Sequence, residues 1–318
     1  MEIGLPIEFL YGWGYSLHRR GGRLVFRCSS GFRDVGFEEC IELDGEGSIG
    51  VDALREACRR GVRVAVKSRH GRAILDSKPL VVKQVERFLC DSDRLLIAKL
   101  VAEASASNKL YLMGLLGLQG SQEYSAIEEL ASRFTEASTV WGVMAVEAEV
   151  TRLYYESLRR VIPGDYGFTA RSRRPPRDPV SASMSFLNMM LYSLCARALR
   201  YHGLDERLGF LHEPRGDRAS LALDLAEEFR QPLVDSVVIP AFTSRSMRKS
   251  DFKYSVNGVY LNDWGRGKLM KLYRHKLNLR TPLGSFEQLV YRQAEQLAKW
   301  VSGELEVYRP FKASLLAT

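Results

Sequence analysis

Four side chains form a group able to do phosphodiester chemistry: Glu147, His212, Asp224 and Glu227. Glu147 lies in VWGVMAVEAEVTRLYYESLRRVI, whose apolar stripe runs through Val143, Val150, Tyr154 and Leu158 at helical spacing. Glu147 falls on that stripe, whereas Glu149 and Glu156 fall off it. A carboxylate on a core face is costly unless it is paired with a buried cation, such as a core arginine, or bound to a metal. Both readings stand at this level. His212 ends the short apolar run GFLH. Ser220 is a candidate cap for a helix carrying Asp224 and Glu227, which are three apart and share one face. One imidazole with two carboxylates offers hard oxygen donors and one nitrogen, a mixture suited to Mn²⁺ or Mg²⁺ more than to a structural zinc. Such an ion holds a phosphodiester oxygen and stabilises the charge of an in-line displacement. Without a metal, His212 could instead act as a general acid or base.

The elements that must position these groups fall into two textures. Up to about residue 75 the chain reads as short strands and turns, with strands expected at 8–13, 23–28, 40–43, 62–67 and 73–75 and one helix at 52–60. From about residue 79 helical periodicity takes over, at 80–89, 93–107, 122–162, 182–201, 221–229, 265–276 and 285–301. Strands followed by helices argue for an α+β chain: a small N-terminal β-rich domain, 1–78, then a larger all-helical C-terminal domain, 79–318. A length of 318 residues suits such a pair.

The segment GEGSIG at 45–50 matches G-x-G-x-x-G literally. A dinucleotide site is not expected there. The helix begins only after the third glycine, Glu46 would stand beside the pyrophosphate, and alternating strands of a doubly wound sheet are missing downstream. A strand-to-helix turn is the plainer reading.

Charge points to a polyanion. Lys and Arg number 46 against 38 Asp and Glu, a net charge of +8. Residues 240–318 carry 14 basic against 6 acidic residues, which is the whole excess. Two Arg-rich spots stand out, TARSRRPPR with Arg171, Arg173 and Arg174, and RSMRK with Arg245, Arg248 and Lys249. Each taken alone could be a solvated face. Concentrated as they are, they read as an electrostatic footprint for double-stranded DNA, with arginine favoured for bidentate phosphate contacts. Five scattered cysteines, none in C-x-x-C, argue against a zinc ribbon or a disulfide scaffold and fit reduced thiols. No stretch reaches the roughly 18 apolar residues of a membrane span. The start MEIGLPIEFLYGWG has neither basic residues nor a cleavage pattern, so a cytoplasmic address is expected.

Taken together, the segments resemble the CRISPR-associated integrases of spacer acquisition, the Cas-one endonuclease family. The resemblance covers nearly the whole chain. It is most specific at GFLH (209–212), SLALDLAEEFR (220–230) and LVD (233–235), and continues in EAEVTRLYY from Glu147, RRPPRDPV (173–180), GVYLN (258–262) and YRPF (308–311). Ala148 stands where the family usually has Gly, and Ser181 where Asn often follows D-P-V. The resemblance implies a β domain joined to a helical domain and a metal held by Glu147, His212 and Glu227, with Asp224 as a supporting acid. It implies insertion of short DNA duplexes into a CRISPR array by 3′-OH transesterification. It also implies a homodimer formed through the β domain, and a larger assembly with a small Cas-two partner. A nuclease of branched DNA in repair would use the same residues. A non-catalytic architectural DNA-binding protein would have no need of Glu147 on an apolar face.

Overall fold

A computed structural model describes residues 7–21, 23–35, 40–59, 62–68, 71–75 and 79–316. The chain divides into two compact units, residues 1–83 and 84–318.

The first unit holds two four-stranded sheets. Strands β1 (Ile7–Tyr11), β2 (Tyr15–Arg20), β3 (Arg23–Cys28), β4 (Gly31–Val35), β5 (Cys40–Asp44) and β6 (Gly47–Ile49) precede helix α1 (Val51–Arg59), and β7 (Arg63–Ser68) and β8 (Gly71–Leu75) follow it. One sheet runs β1-β5-β7-β8, with β1, β5 and β7 parallel and β8 antiparallel. The other runs β4-β3-β2-β6, with β6 parallel to β2. Alternate apolar residues such as Leu10, Leu17, Leu24, Phe26, Ile41, Leu43 and Val64 meet in one core, which α1 seals with Ala53 and Ala57.

The GEGSIG segment is structural. Residues 47–49 of it are β6, in the sheet. A side chain at Gly45, where φ is +114°, would strike the Gly12 carbonyl oxygen at 2.1 Å, and one at Gly47 would strike Tyr15 at 2.4 Å. The glycines therefore serve close backbone approach. Strands β2, β4 and β6 escaped the sequence reading because they carry charged or polar residues, and β6 is only three residues long.

The second unit is helical. It comprises α2 (Pro79–Leu89), α3 (Asp91–Leu115), α4 (Gln122–Ser132), α5 (Val140–Leu158), α6 (Pro179–Tyr201), α7 (Ser220–Glu227), a π-helical turn (Arg230–Asp235) and α8 (Ser236–Thr243), then α9 (Asp263–Asn278) and α10 (Phe286–Ser302). Two short antiparallel hairpins interrupt it, β9 (Phe252–Ser255) with β10 (Gly258–Leu261) and β11 (Arg280–Thr281) with β12 (Gly284–Ser285). The expectation of an all-helical unit missed these hairpins because each strand is four residues or fewer. Among the described residues no helix is long and apolar enough to cross a membrane.

The single helix expected over 122–162 is two. The break at 133–139 has two causes. Phe134 turns fully into the core, and Thr139 caps α5 by accepting the Gly142 N–H at 3.1 Å. That cap sets the phase of α5, burying Val143, Val150, Tyr154 and Leu158 and leaving Glu147 half-buried beside them. Phe134→Ala is expected to cost about 3–5 kcal/mol, read as a lower urea midpoint for the helical unit.

Candidate metal centre and DNA-facing groove

The site is built from three helices and one turn. Helix α5 carries Glu147, α7 carries Asp224 and Glu227, α3 passes behind them with Ser105 and Lys109, and the turn 209–213 carries His212. That turn is tight. A side chain on Gly209 would come within 2.7 Å of the His212 carbonyl oxygen and of the Ser220 backbone.

Asp224 organises the turn. Its Oδ2 accepts the N–H groups of Phe210 (2.6 Å) and Leu211 (3.0 Å), and its Oδ1 accepts the N–H of His212 (2.9 Å). The same Oδ1 lies 2.7 Å from His212 Nδ1. An ionised carboxylate only accepts, so Nδ1 carries a proton, and in the neutral ring Nε2 is the nitrogen with a lone pair for a ligand. Burial works against a charged imidazole, but the Asp224 hydrogen bond and charge, joined by Glu227, outweigh it and raise the His212 pKa. Asp224 is thus the carboxylate partner of a potential metal-binding histidine. Ser220 was expected to cap α7. The cap position is Ala219, and the Ser220 hydroxyl instead donates to the Glu213 carbonyl at 2.9 Å. It ties the helix to the turn rather than closing the helix end.

Glu227 is buried yet ionised. Burial alone would raise it; the charges of Arg230, Lys109, His212 and Arg173 overcome that and hold its carboxyl below the usual carboxylate range. Arg230 Nη1 lies 2.9 Å from its Oε1, and Ser105 Oγ donates to its Oε2 at 3.3 Å. Arg230 is itself held by the Tyr192 hydroxyl at 2.8 Å. Glu147 accepts the Thr151 hydroxyl at 2.6 Å, and Lys109 Nζ lies 3.7 Å from the same Oε1. The pairing expected for a carboxylate on this stripe is therefore present, with a lysine of α3 rather than an arginine.

Among the described residues no three or more His, Cys, Asp or Glu side chains are gathered as a ready-made cage for an ion. Glu147 and Glu227 are instead turned toward Lys109, Ser105 and Arg230. The donor chemistry fits a hard divalent ion: two ionisable carboxylates and an imidazole whose far nitrogen is locked by a buried acid.

A groove of about 500 Å³ opens beside Glu147, lined by Thr151, Arg152, Tyr155, Arg159, Arg171 and Arg173 among others. Of the six basic residues expected to face DNA, Arg171 and Arg173 line this groove. Arg171 is half-buried, with Nη2 donating to Ser185 Oγ at 2.9 Å. Arg174 is exposed but does not line the groove. Arg245, Arg248 and Lys249 lie on a separate exposed loop, where Arg245 pairs with Asp165 at 3.0 Å. Arg152 and Arg159 were missed because one helix face mixes them with Glu149 and Glu156. Lys109 and Ser105 were missed because nothing in a small-residue helix marks which side chain meets a distant carboxylate.

Comparison with known proteins places the chain in a family. A family model described as CRISPR associated protein Cas1 matches residues 9–275. A protein of Thermus thermophilus named CRISPR-associated endonuclease Cas1 1 is 32% identical over 314 residues, covering 94% of this chain and 96% of that one. Among solved structures, a casposase bound to integration product superposes with a TM-score of 0.66 at 22% identity, covering 95% of this chain and 92% of that one. A partial Cas6-RT-Cas1–Cas2 complex gives 0.67 at 19%, covering 98% and 99%. At those identities the structural likeness speaks for the fold alone.

Asp224→Asn is expected to destabilise the helical unit by about 2 kcal/mol or more, because an amide nitrogen would face donors that now meet a carboxylate; urea unfolding measures it. Asp235 gives a pH prediction. It accepts the Tyr154 hydroxyl at 2.9 Å, and burial pushes its carboxyl up to about 6 against the pull of Tyr154, Arg171, Arg230 and Lys109. A raised carboxyl binds its proton more tightly folded than unfolded. Its contribution is therefore complete in acid and is lost as pH rises through that value. Asp235→Asn, which keeps an oxygen for Tyr154, is expected to lose less stability than the native chain between about pH 4 and 6, read from urea midpoints across that range.

Proposed function

The chain belongs to the CRISPR-associated Cas1 family, and from that premise we propose that it is a DNA endonuclease and integrase, dependent on Mn²⁺ or Mg²⁺, that joins short DNA duplexes to a CRISPR array. The observation that carries the reading is the His212–Asp224 pair, with Asp224 one helical turn before a buried, ionised Glu227. Asp224 fixes the turn through three backbone N–H groups and the ring through Nδ1, which leaves Nε2 as the ring's remaining atom for a ligand.

Glu147, Glu227 and Nε2 of His212 would hold the ion. A bound divalent ion supplies charge stabilisation at the phosphodiester under attack. Asp224 fixes the His212 ring and keeps its proton on Nδ1. Arg171 and Arg173 line the groove beside Glu147, where they would meet phosphates of a bound strand. The nucleophile is the 3′-OH of the incoming duplex. As its oxygen bonds to phosphorus, the 3′-oxygen of the target strand leaves and is protonated, so no covalent protein intermediate forms. Water in place of the 3′-OH nicks the strand.

The partners follow the same reasoning. Tyr11, Trp13 and Phe32 leave an exposed aromatic surface on the β unit, which supports a second copy of this chain as its partner. The complex of a Cas1 relative with Cas2 supports a small Cas-two protein as a further partner. A cytoplasmic setting is part of the same proposal.

The test is strand transfer of a short 3′-OH duplex into a supercoiled plasmid bearing a leader and repeats, with Mn²⁺ or Mg²⁺ and with and without the small partner. Glu147→Ala and Glu227→Ala are each expected to lower joining on the order of 100-fold or more while duplex binding persists. Retained joining in either variant overturns the site. Cleavage without joining favours a repair nuclease of branched DNA, and binding without reaction an architectural role.

A further inference from the structure

Lys109 stands in a place that neither packing nor sequence periodicity explains. It is a lysine at 2% exposure in the middle of a helix. Such side chains are almost never buried unless paired, and confining one costs about 1.5–2 kcal/mol of rotamer freedom. Its Nζ donates to Ser105 Oγ, one helical turn back, at 2.7 Å. That hydroxyl passes its own hydrogen to Glu227 Oε2 at 3.3 Å. The same Nζ lies 3.7 Å from Glu147 Oε1. One ammonium on α3 thus connects the carboxylate of α5 to the carboxylate of α7.

The contact with Glu147 is loose. Thr151 makes the short hydrogen bond to that oxygen, at 2.6 Å, and Lys109 stands farther off. A lysine serving only as a core ion pair gains most by closing to full hydrogen-bond distance. This one is placed between two acids and saturates neither. Carboxylates brought to one cation repel one another, and the cation between them offsets the repulsion. The same cation repels a divalent ion brought to those carboxylates.

We propose that Lys109 is a positioning residue of the metal centre: an internal cation that bridges Glu147 to Glu227 through Ser105 and gives up that bridge when a divalent ion binds. The proposal rests on the metal-dependent reading above. Lys109 then has two opposed effects. It keeps the ligands facing one another when no ion is bound, and it makes the centre bind its ion more weakly than the carboxylates alone would.

The test measures binding and stability rather than turnover. Full-length native chain, Lys109→Met, Lys109→Gln and Glu147→Ala are titrated with Mn²⁺ by calorimetry and melted with and without Mn²⁺. Lys109→Met removes the charge at similar volume, and Lys109→Gln keeps an N–H for Ser105. Lys109→Met is expected to bind Mn²⁺ about tenfold tighter than the native chain. It is also expected to melt lower without metal, and to be raised further by Mn²⁺ than the native chain is. Lys109→Gln carries the same expectation with a smaller loss of metal-free stability. A purely structural lysine would lower both melting temperatures equally and leave the affinity unchanged or weaker, which overturns the inference. So does a pair of variants that fail to fold with or without Mn²⁺. Glu147→Ala separates the two readings. If native binding disappears in Glu147→Ala and Lys109→Met shows no gain, the metal centre stands and the role of Lys109 falls. If native binding is absent or indifferent to Glu147, both fall.

Discussion

A carboxylate cannot remain ionised on a buried helix face unless N–H groups or cations are brought to meet it, and the helical unit is arranged around that requirement. Helix α7 is only eight residues long, yet Asp224 and Glu227 both point inward from it and Glu228 follows directly. Each acid is met from a different direction. The turn before α7 brings three backbone N–H groups and an imidazole to Asp224. Arg230 and Ser105 meet Glu227. Tyr308, Gln293 and the Phe311 N–H meet Glu228, at 2.5, 3.0 and 2.7 Å.

Glu227 and Glu228 show how neighbouring residues of one type take opposite characters. Burial pushes Glu228 up to about 7, and its hydrogen bonds to Tyr308, Phe311 and Gln293 restrain the rise without supplying a positive charge. Those contacts clamp the segment 308–311 onto the helices, and Asn108 completes the clamp from α3, donating to the Phe311 carbonyl at 3.1 Å and accepting the Ala313 N–H at 2.7 Å. Glu227, one residue earlier, faces cations instead and stays ionised. Glu228 thus fixes the helix from which Glu227 projects, and α3 serves both acids, with Asn108 on the clamp and Ser105 and Lys109 beside Glu227 and Glu147.

The division between what the sequence discloses and what it hides follows from range. Local periodicity marks Glu147 as an acid on an apolar stripe and sets Asp224 and Glu227 on one face, because both statements need only the helical repeat. The texture change near residue 79 separates sheets from helices for the same reason. The break at 133–139 is hidden, since the residues around it, ASRFTEAST, are compatible with a helix and only the burial of Phe134 and the Thr139 cap decide against one. The identity of the cation facing Glu147 is hidden more deeply. Lys109 is 38 residues away in the chain, and its meaning exists only once α3 packs on α5 and α7.

Charge was the least local signal. The basic excess lies in residues 240–318, whereas the arginines lining the groove come from 152–173. The arrangement is consistent electrostatically. Glu147 and Glu227 are answered at close range by Lys109 and Arg230, and Asp224 by three backbone N–H groups and the His212 ring. In the groove itself, Arg152, Arg159, Arg171 and Arg173 stand against Glu147 and Glu156. Basic side chains therefore outnumber acidic ones along its lining, and such a lining attracts a polyanion rather than repelling it.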